Sequence, residues 1–234
     1  MMNAKSATEL FKGSFITSSE TIQQRLKNVK AFIFDWDGVF NNGHKFSDGS
    51  SSFSETDSMG INLLRFNQYL ITGKMPAVAV ITGEHNNASF YFAKRECFHN
   101  VYYKIKDKQI ALHHFCEQHQ LQASEVLFVF DDVLDFSAAK LTGLRMMINH
   151  KCNPLLVDYA VKNNLTDYLT SNEGGSGAIR EVSELMMHLS GNFEQVMEHR
   201  IQYDETYKKY IGLRNQSTTT FFTSREHKII QQEP

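Results

Sequence analysis

Residues 31–39 read AFIFDWDGV, and this stretch decides the fold. Four apolar residues, Ala31 to Phe34, are typical of a buried strand, and two carboxylates, Asp35 and Asp37, follow it directly, with Gly38 behind them. Similar apolar runs recur along the chain. They are AVAVIT at 77–82, a short piece around Val101, VLFVF at 126–130, LRMMI at 144–148 and a weak run near Tyr168 and Leu169.

Segments with helical spacing of apolar residues separate these runs. Lys106 to His119 place Ile110, Ala111 and Phe115 on one face, and Asn153-Pro154 is a typical helix start. Alternating strands and helices of this length predict an α/β fold, a parallel sheet with helices on both faces and right-handed crossovers.

The remaining segments surround this pattern. Between Phe40 and Phe53 the turn signals Asn42-Gly43 and Asp48-Gly49 predict a small β-hairpin flap after the first strand. We expect an N-terminal helical extension at 1–29, the main domain at 30–190 and a helical, then irregular, C-terminal tail at 191–234. The tail is expected to be partly disordered or to dock on a neighbouring subunit.

Composition excludes several classes of function. The 234 residues carry 24 Lys and Arg against 26 Asp and Glu, a formal charge of −2, so a nucleic-acid partner is not indicated. Apolar runs fall far short of the roughly 18 residues of a membrane span, and the N-terminus is polar, so we expect a cytoplasmic chain with no membrane partner. Three cysteines and ten histidines show no spacing typical of disulfides or zinc.

Carboxylates follow two of the predicted strands. Asp35 and Asp37 at one strand end can share a hard cation, and one can act as a nucleophile while the other transfers protons. Asp131, Asp132 and Asp135 follow VLFVF, where three carboxylates repel one another unless a cation is present. The alternatives are an ordinary acidic loop and the preference of helix N-termini for negative charge.

Two further strand ends carry groups that suit a phosphoryl ligand. Thr82 and Gly83 offer a hydroxyl and free backbone N–H groups, and Lys108 can neutralise phosphate charge. Taken singly, Thr82 also suits a helix cap and Lys108 a solvent-exposed helix surface. All four places lie where open α/β sheets bind ligands.

In this order, DxDGV, Thr-Gly, Lys and DDxxD resemble the haloacid dehalogenase superfamily of phosphohydrolases. The flap in place of a large cap, together with FSETDSMGINLL (53–64), DKQIAL (107–112) and EGGSGAIREVSELM (173–186), resembles its capless subclass. The resemblance runs from about Lys30 to Leu189. It implies a Rossmann-like fold and a Mg²⁺-dependent phosphatase that acts on a small phosphate ester, a sugar or sugar acid phosphate, and forms a homotetramer.

By motif position, the resemblance implies that Asp35 attacks phosphorus and Asp37 transfers protons. Mg²⁺ would be held by the carboxylates of Asp35 and Asp131 and by the backbone carbonyl of Asp37. Thr82 and Lys108 would bind the phosphoryl group. The remaining expected positions are Asp132 and Asp135 around the metal, and Gly83, Glu84 and Arg180 as substrate contacts.

Three places depart from the family pattern, and one of them is the usual Asp-Gly-x-Gly, which here reads Asp57-Ser58-Met59-Gly60. Phe130 stands where glycine is usual, which predicts a bulky ring close to the site, and Glu84 stands where arginine is usual. A glutamate facing an anionic substrate is unfavourable by about a few kcal/mol, which points to a changed substrate. One alternative hypothesis is a catalytically weak relative that serves as a binding or assembly subunit. Another is a phosphotransferase or mutase that uses the same aspartyl phosphate, which the absence of a substantial cap domain disfavours.

Overall fold

The computed structural model describes residues 6–234, which form one nine-stranded sheet with helices on both faces. The strands are β1 (Ser14–Phe15), β2 (Ala31–Phe34), β3 (Ala77–Ile81), β4 (Asn100–Tyr102), β5 (Val126–Phe130), β6 (Leu144–Met147), β7 (Tyr168–Leu169), β8 (Thr220–Arg225) and β9 (Lys228–Gln231). The helices are α1 (Ala7–Leu10), α2 (Ser19–Leu26), α3 (Glu55–Thr72), α4 (Asn87–Arg95), α5 (Lys108–His119), α6 (Phe136–Ala139), α7 (Pro154–Lys162), α8 (Ala178–Ser190), α9 (Phe193–Gln202) and α10 (Glu205–Arg214). Within residues 6–234, every helix is too short or too polar to cross a lipid bilayer.

The order of the strands places β2 at the middle of the sheet. The order is β1-β7-β6-β5-β2-β3-β4-β8-β9, in which β7 through β8 are parallel and the edge strands β1 and β9 are antiparallel to their neighbours. Ala31 pairs with both Ala77 and Val126, so β2, β3 and β5 start level with one another. Their carboxyl ends therefore meet at one edge of the sheet.

Alternate residues of β2 pack into two different cores. Phe32 and Phe34 contact one face, which α2, α3, α4 and α8 cover, whereas Ala31 and Ile33 contact the other, which α5, α6 and α7 cover. Because a parallel sheet is buried on both faces, its strands are continuously apolar. The predicted α/β, Rossmann-like fold is confirmed.

A third layer forms outside α3. Helices α9 and α10 pack on α3 through an aromatic cluster that includes Phe66, Tyr207 and Tyr210, and the Tyr210 hydroxyl donates to the carbonyl oxygen of Asn62 at 2.9 Å. The first part of the tail, from residue 191 to Tyr210, which we predicted to be helical, is thus docked on the domain.

The C-terminal tail differs from the prediction. Residues 220–231 form the hairpin β8–β9, with β8 parallel to β4, and Phe221 and Phe222 are buried. The expectation of a partly disordered tail is wrong because these two rings complete the cores beyond β4. In the N-terminal region, β1 lies between α1 and α2, and residues 1–5 of the predicted extension lie outside the described residues.

The predicted hairpin flap at 40–53 is also wrong. No strand forms there among the described residues, and the chain makes an irregular loop closed by bonds such as that from the N–H of Phe46 to the carbonyl of Ser50 at 2.9 Å. The side chains of Asn42 and Asp48 accept backbone N–H groups two residues further on. Such local bonds compete with pairing between strands.

Candidate active site

A cavity of about 920 Å³ opens at the carboxyl edge of the sheet. Nine of the ten predicted site residues line it, from the loops after four neighbouring strands. They are Asp35, Asp37, Thr82, Gly83, Glu84, Lys108, Asp131, Asp132 and Asp135. The tenth, Arg180, does not line the cavity: its Nε donates to Glu184 at 2.6 Å on the surface of α8.

Lys108 lies at the centre of the site. It begins α5, where Asp107 caps the helix by accepting the N–H of Gln109. Its side chain is almost fully buried, and its Nζ lies 2.7 Å from Asp35 Oδ1 and 2.5 Å from Asp135 Oδ1. One ammonium group therefore joins the carboxylates that follow β2 and β5.

Asp131 is the third buried carboxylate. Its Oδ2 contacts His150 Nε2 at 3.0 Å, whereas its Oδ1 is buried without a hydrogen-bond partner. Oxygen atoms of Asp35, Asp131 and Asp135 all lie within 4.8 Å of one another. A buried carboxylate oxygen without a donor is costly, and a bound hard cation would satisfy it.

The charges of this cluster are unbalanced. Burial raises the pKa of Asp35 well above its usual value, Lys108 opposes that rise, and the neighbouring Asp135 and Asp131 add to it. Burial also raises the pKa of Asp135 against the effect of Lys108. For Lys108 burial acts to lower the pKa, but the two carboxylates together raise it, so the ammonium stays charged. Three carboxylates around one lysine leave an excess of negative charge, which a divalent cation would balance.

Asp37 faces the more open side of the cavity. Its Oδ2 pairs with Lys45 Nζ at 2.9 Å, and its Oδ1 lies 3.4 Å from Asn86 Nδ2 and 3.5 Å from Asn41 Nδ2. About a quarter of the Asp37 side chain is exposed. A carboxylate that is held by donors and reached by solvent suits proton transfer with substrate and water.

Close backbone packing shapes the loop after β2. Gly38 has φ +81°, and a Cβ there would lie 2.0 Å from Asp131 Oδ2. From the opposite side, a Cβ on Gly174 would lie 2.0 Å from the carbonyl oxygen of Gly38. The glycine-rich segment before α8 therefore packs directly against the site loop.

The loop after β3 offers polar groups to a ligand. Thr82 is buried directly after β3, and its backbone carbonyl accepts the N–H of Ile105 at 3.1 Å, which joins this loop to the one that carries Lys108. Thr82 does not cap α4, because Asn86 takes that position. Glu84 is exposed and lines the cavity, as the sequence predicted for a substrate contact.

Phe130 lies away from the site. Its ring is fully buried beside Phe128 and Phe136, 5.2 Å and 6.2 Å between centroids. The expectation of a bulky ring close to the ligand is wrong, since the side chain points from β5 into the core below. Asp132 caps the short 3-10 turn that follows β5 and is exposed, whereas Asp135 is buried.

Sequence reasoning missed several residues of the cavity. His150 comes just after β6, in the run INHKCNP, and lines the cavity. It could have been found in the same way as the other site residues, as a polar residue at the end of a predicted strand. Lys45, Asn41 and Asn86 reach Asp37 from loops, and no local sequence signal predicts such contacts.

The chain is similar to known phosphatases along most of its length. It is 28% identical over 173 residues to the 3-deoxy-D-manno-octulosonate 8-phosphate phosphatase KdsC of Yersinia pestis, covering 72% of this chain and 85% of that protein. It is 25% identical over 181 residues to the protein of the same name from Escherichia coli strain K12, covering 76% and 89%. No protein-family model matches the chain.

Solved structures share the fold. The 3-deoxy-D-manno-octulosonate 8-phosphate phosphatase of Moraxella catarrhalis, in complex with a magnesium ion, a phosphate ion and KDO, superposes with a TM-score of 0.63 at 25% identity. The match covers 76% of this chain and 96% of that one. A probable YrbI family phosphatase of Pseudomonas syringae superposes with a TM-score of 0.65 at 26% identity, covering 80% and 99%.

The fold, the lysine-centred carboxylate cluster and these comparisons support a phosphoric monoester hydrolase of the haloacid dehalogenase type, without a large cap inserted in the described residues. Within that class, the chain resembles 3-deoxy-D-manno-octulosonate 8-phosphate phosphatase.

Proposed function

We propose that the protein hydrolyses a small sugar phosphate or sugar acid phosphate, similar to 3-deoxy-D-manno-octulosonate 8-phosphate, through an aspartyl-phosphate intermediate. The observation that carries this proposal is the contact of Lys108 Nζ with both Asp35 and Asp135, beside the unpartnered oxygen of Asp131. Phosphoryl transfer depends on positioning and on neutralising charge, and this cluster supplies both.

Asp35 is the proposed nucleophile. One carboxylate oxygen of Asp35 forms a bond to phosphorus as the bond from phosphorus to the leaving oxygen breaks, and Asp37 donates a proton to that oxygen. Asp37 then takes a proton from water, which attacks phosphorus. Inorganic phosphate leaves, and the Asp35 carboxylate is restored. Lys108 fixes Asp35 during both steps, and with Thr82 it binds the phosphoryl oxygens.

The proposed cofactor is Mg²⁺, which the Moraxella relative also contains. The carboxylates of Asp35 and Asp131 and the backbone carbonyl of Asp37 would hold it, and the free Oδ1 of Asp131 fits that role. Asp135 belongs to the same acidic group, but its Oδ1 accepts from Lys108, so we assign it to positioning that lysine. When bound, the ion neutralises phosphoryl charge.

In this proposal the leaving group of the substrate is a small molecule and not a nucleic acid. Glu84 on the cavity wall disfavours a carboxylate nearby, whereas Lys45 and Lys106 line the same cavity and favour anionic or hydroxyl groups. The proposal therefore includes sugar phosphates without a carboxylate as well as sugar acid phosphates. We also propose a homotetramer, whose neighbouring subunits would cover the open side of the cavity.

Phosphate release from a panel of sugar and sugar acid phosphates tests the activity, with Mg²⁺ and with EDTA. We expect release with Mg²⁺ and a loss of about 1,000-fold or more in Asp35→Asn. Asp158→Asn, an exposed carboxylate on α7, is the matched control and should keep full activity.

The opposite outcome is equally definite. Folded protein that binds Mg²⁺ but releases phosphate from no member of the panel would contradict the phosphatase and favour the binding or assembly subunit. The structure weakens that alternative, because Phe130, one of its two motives, packs in the core.

A further inference from the structure

The turn of the C-terminal hairpin lies at the same edge of the sheet as the candidate active site. Strand β8 runs parallel to β4, with Tyr102 opposite Phe222, so both strands end at the carboxyl edge of the sheet. The turn between β8 and β9 is Glu226-His227. It therefore lies beside the β4–α5 loop, which carries Lys108 at its end.

A second cavity of about 540 Å³ separates this turn from the β4–α5 loop. Lys104, Lys106 and Asp107 line it from the loop, and Ser224, Glu226 and His227 line it from the hairpin. Lys106 also lines the active-site cavity, so the two cavities adjoin at this residue. Lys104, Lys106, Glu226 and His227 are all exposed and can reach a ligand.

Backbone strain is concentrated around the second cavity. Lys104, Glu226 and His227 have φ of 55°, 50° and 60°, and they are three of the seven non-glycine residues with positive φ among residues 6–234. A two-residue hairpin turn of this kind favours Asn-Gly, which adopts it with little strain. A residue with a Cβ is strained in this conformation. Strain of this kind is most often kept where the side chains have a function.

We propose that this second cavity is a subsite for the far end of the substrate's leaving group, and that it binds a hydroxylated chain. Its charged lining is balanced, two lysines against Asp107 and Glu226, so it offers both donors and acceptors. A hydroxyl group both donates and accepts, and it fits such a lining better than a carboxylate does. The assignment rests on the proposed phosphatase activity and adds to it the place where the far end of the leaving group binds.

The position of the subsite sets a length for the substrate. β8 is the third strand from β2 in the sheet, which at the usual spacing places the turn about 14 Å across from the Asp35 strand. Short phosphate esters bound at Asp35 cannot extend that far. The subsite therefore discriminates by chain length, and only long hydroxylated phosphates gain from it.

The test replaces Glu226-His227 by Asn-Gly, as the double variant Glu226→Asn with His227→Gly. Asn-Gly keeps the turn, and the substitution removes the side chains of both Glu226 and His227. The kcat and KM of the wild type and the variant are measured for phosphate esters of polyhydroxylated chains from three to eight carbons. p-Nitrophenyl phosphate, which has no hydroxylated chain, is the control substrate.

We expect kcat/KM of the wild type to rise with chain length and that of the variant to rise much less. The loss for the longest substrate should be about 10-fold, mainly in KM, with p-nitrophenyl phosphate unchanged within about 2-fold. The variant should also melt at a higher temperature than the wild type, since the turn is relieved of strain.

Equal kinetics of the two proteins on every chain length would overturn the subsite, and so would an equal loss on p-nitrophenyl phosphate. Absence of turnover on every ester, p-nitrophenyl phosphate included, is a different result, because it would overturn the proposed phosphatase and the subsite with it.

Discussion

Lys108 is a buried cation whose removal would leave two carboxylates facing each other. Substituting methionine keeps most of the side-chain volume but deletes the charge that contacts Asp35 and Asp135. In EDTA we expect Lys108→Met to lose about 3 kcal/mol of unfolding free energy, because breaking a buried pair leaves a charge uncompensated. Activity should fall about 100-fold or more. Urea unfolding and phosphate release measure the two effects.

Mg²⁺ should restore part of the stability of Lys108→Met, since a divalent cation replaces the missing positive charge in the cluster. The rise in melting temperature on adding Mg²⁺ should therefore be larger for this variant than for the wild type. Lys140→Met, at an exposed lysine after α6, is the control and should behave as the wild type does. An equal Mg²⁺ effect in all three proteins would contradict the assigned cation site.

Gly38 and Gly43 offer a matched pair in one loop. Both have positive φ, 81° and 80°, but a Cβ at Gly38 would lie 2.0 Å from Asp131 Oδ2, whereas a Cβ at Gly43 meets nothing within 4 Å. Each alanine variant should lose about 1 kcal/mol of stability from backbone strain. Only Gly38→Ala displaces the carboxylate, so its activity should fall about 100-fold while Gly43→Ala stays within a few-fold of the wild type. Similar activities of the two variants would refute the assigned role of Asp131.

Asp57 of α3 gives a pH-dependent prediction. It is buried, accepts the N–H of Arg180 at the start of α8, and leaves Oδ2 without a partner. Burial raises the pKa of Asp57 to about 6, against the backbone hydrogen bonds of the helix start, from an ordinary value of 3.8. A carboxyl whose pKa is raised by folding lowers stability above that pKa, and the penalty disappears as the pH falls towards the unfolded value.

The wild type should therefore gain about 2 kcal/mol relative to Asp57→Asn between pH 7 and pH 4. Urea unfolding of both proteins at several pH values measures this gain. Asp158→Asn, an exposed carboxylate, should change little relative to the wild type over the same range. A constant difference between wild type and Asp57→Asn at all pH values would show that Asp57 does not titrate in this window.

Sequence reasoning found site residues where they follow a strand directly. Asp35, Thr82 and Asp131 lie next to an apolar run, and the strand register fixes their positions in space. Lys45 reaches Asp37 from an irregular loop, and the partner of Asp131, His150, lies 19 positions away along the chain. Such pairings depend on how loops pack, which a local pattern does not encode.

At the scale of elements, apolar runs predicted the six strands from β2 to β7 to within a residue or two. Their burial on both faces makes the signal strong. The loop at 40–53 has turn residues typical of a hairpin but no apolar alternation beside them, and it forms no ladder. The hairpin β8–β9 was missed because STTTFFTSR is largely polar, and only Phe221 and Phe222 of β8 belong to the cores.

Docking of that hairpin makes a specific stability prediction. Phe222 stacks on Tyr102 with 5.1 Å between ring centroids and packs edge-on against His114 at 4.7 Å. Phe222→Ala should lower the unfolding free energy by about 3 kcal/mol, since a buried ring is lost from the second core. Ile230→Ala, on the less buried strand β9, should cost about 1 kcal/mol. Equal and negligible effects in urea unfolding would indicate that the tail does not pack on β4.

At the scale of the whole molecule, several exposed apolar side chains line the cavity or lie next in the chain to residues that line it. Phe46, Leu134 and Leu155 are 67%, 56% and 83% exposed, and Tyr159 on α7 is half exposed nearby in the chain. Leu134 lines the cavity itself, and Phe46 and Leu155 belong to the loops or helices that border it. Apolar side chains grouped at a site mouth are typical of a surface that another protein surface covers.

We therefore expect the protein to assemble through this rim, as the proposed homotetramer requires. Light scattering coupled to gel filtration should give a mass well above the 26.9 kDa of one chain. Leu155→Glu should reduce that mass, because a charge buried in the interface is not compensated. Ile201→Glu, at a residue 80% exposed on α9, is the control and should leave the mass unchanged. A monomeric wild type, or an equal effect of the two substitutions, would contradict assembly at the rim, and the cavity would then work open to solvent.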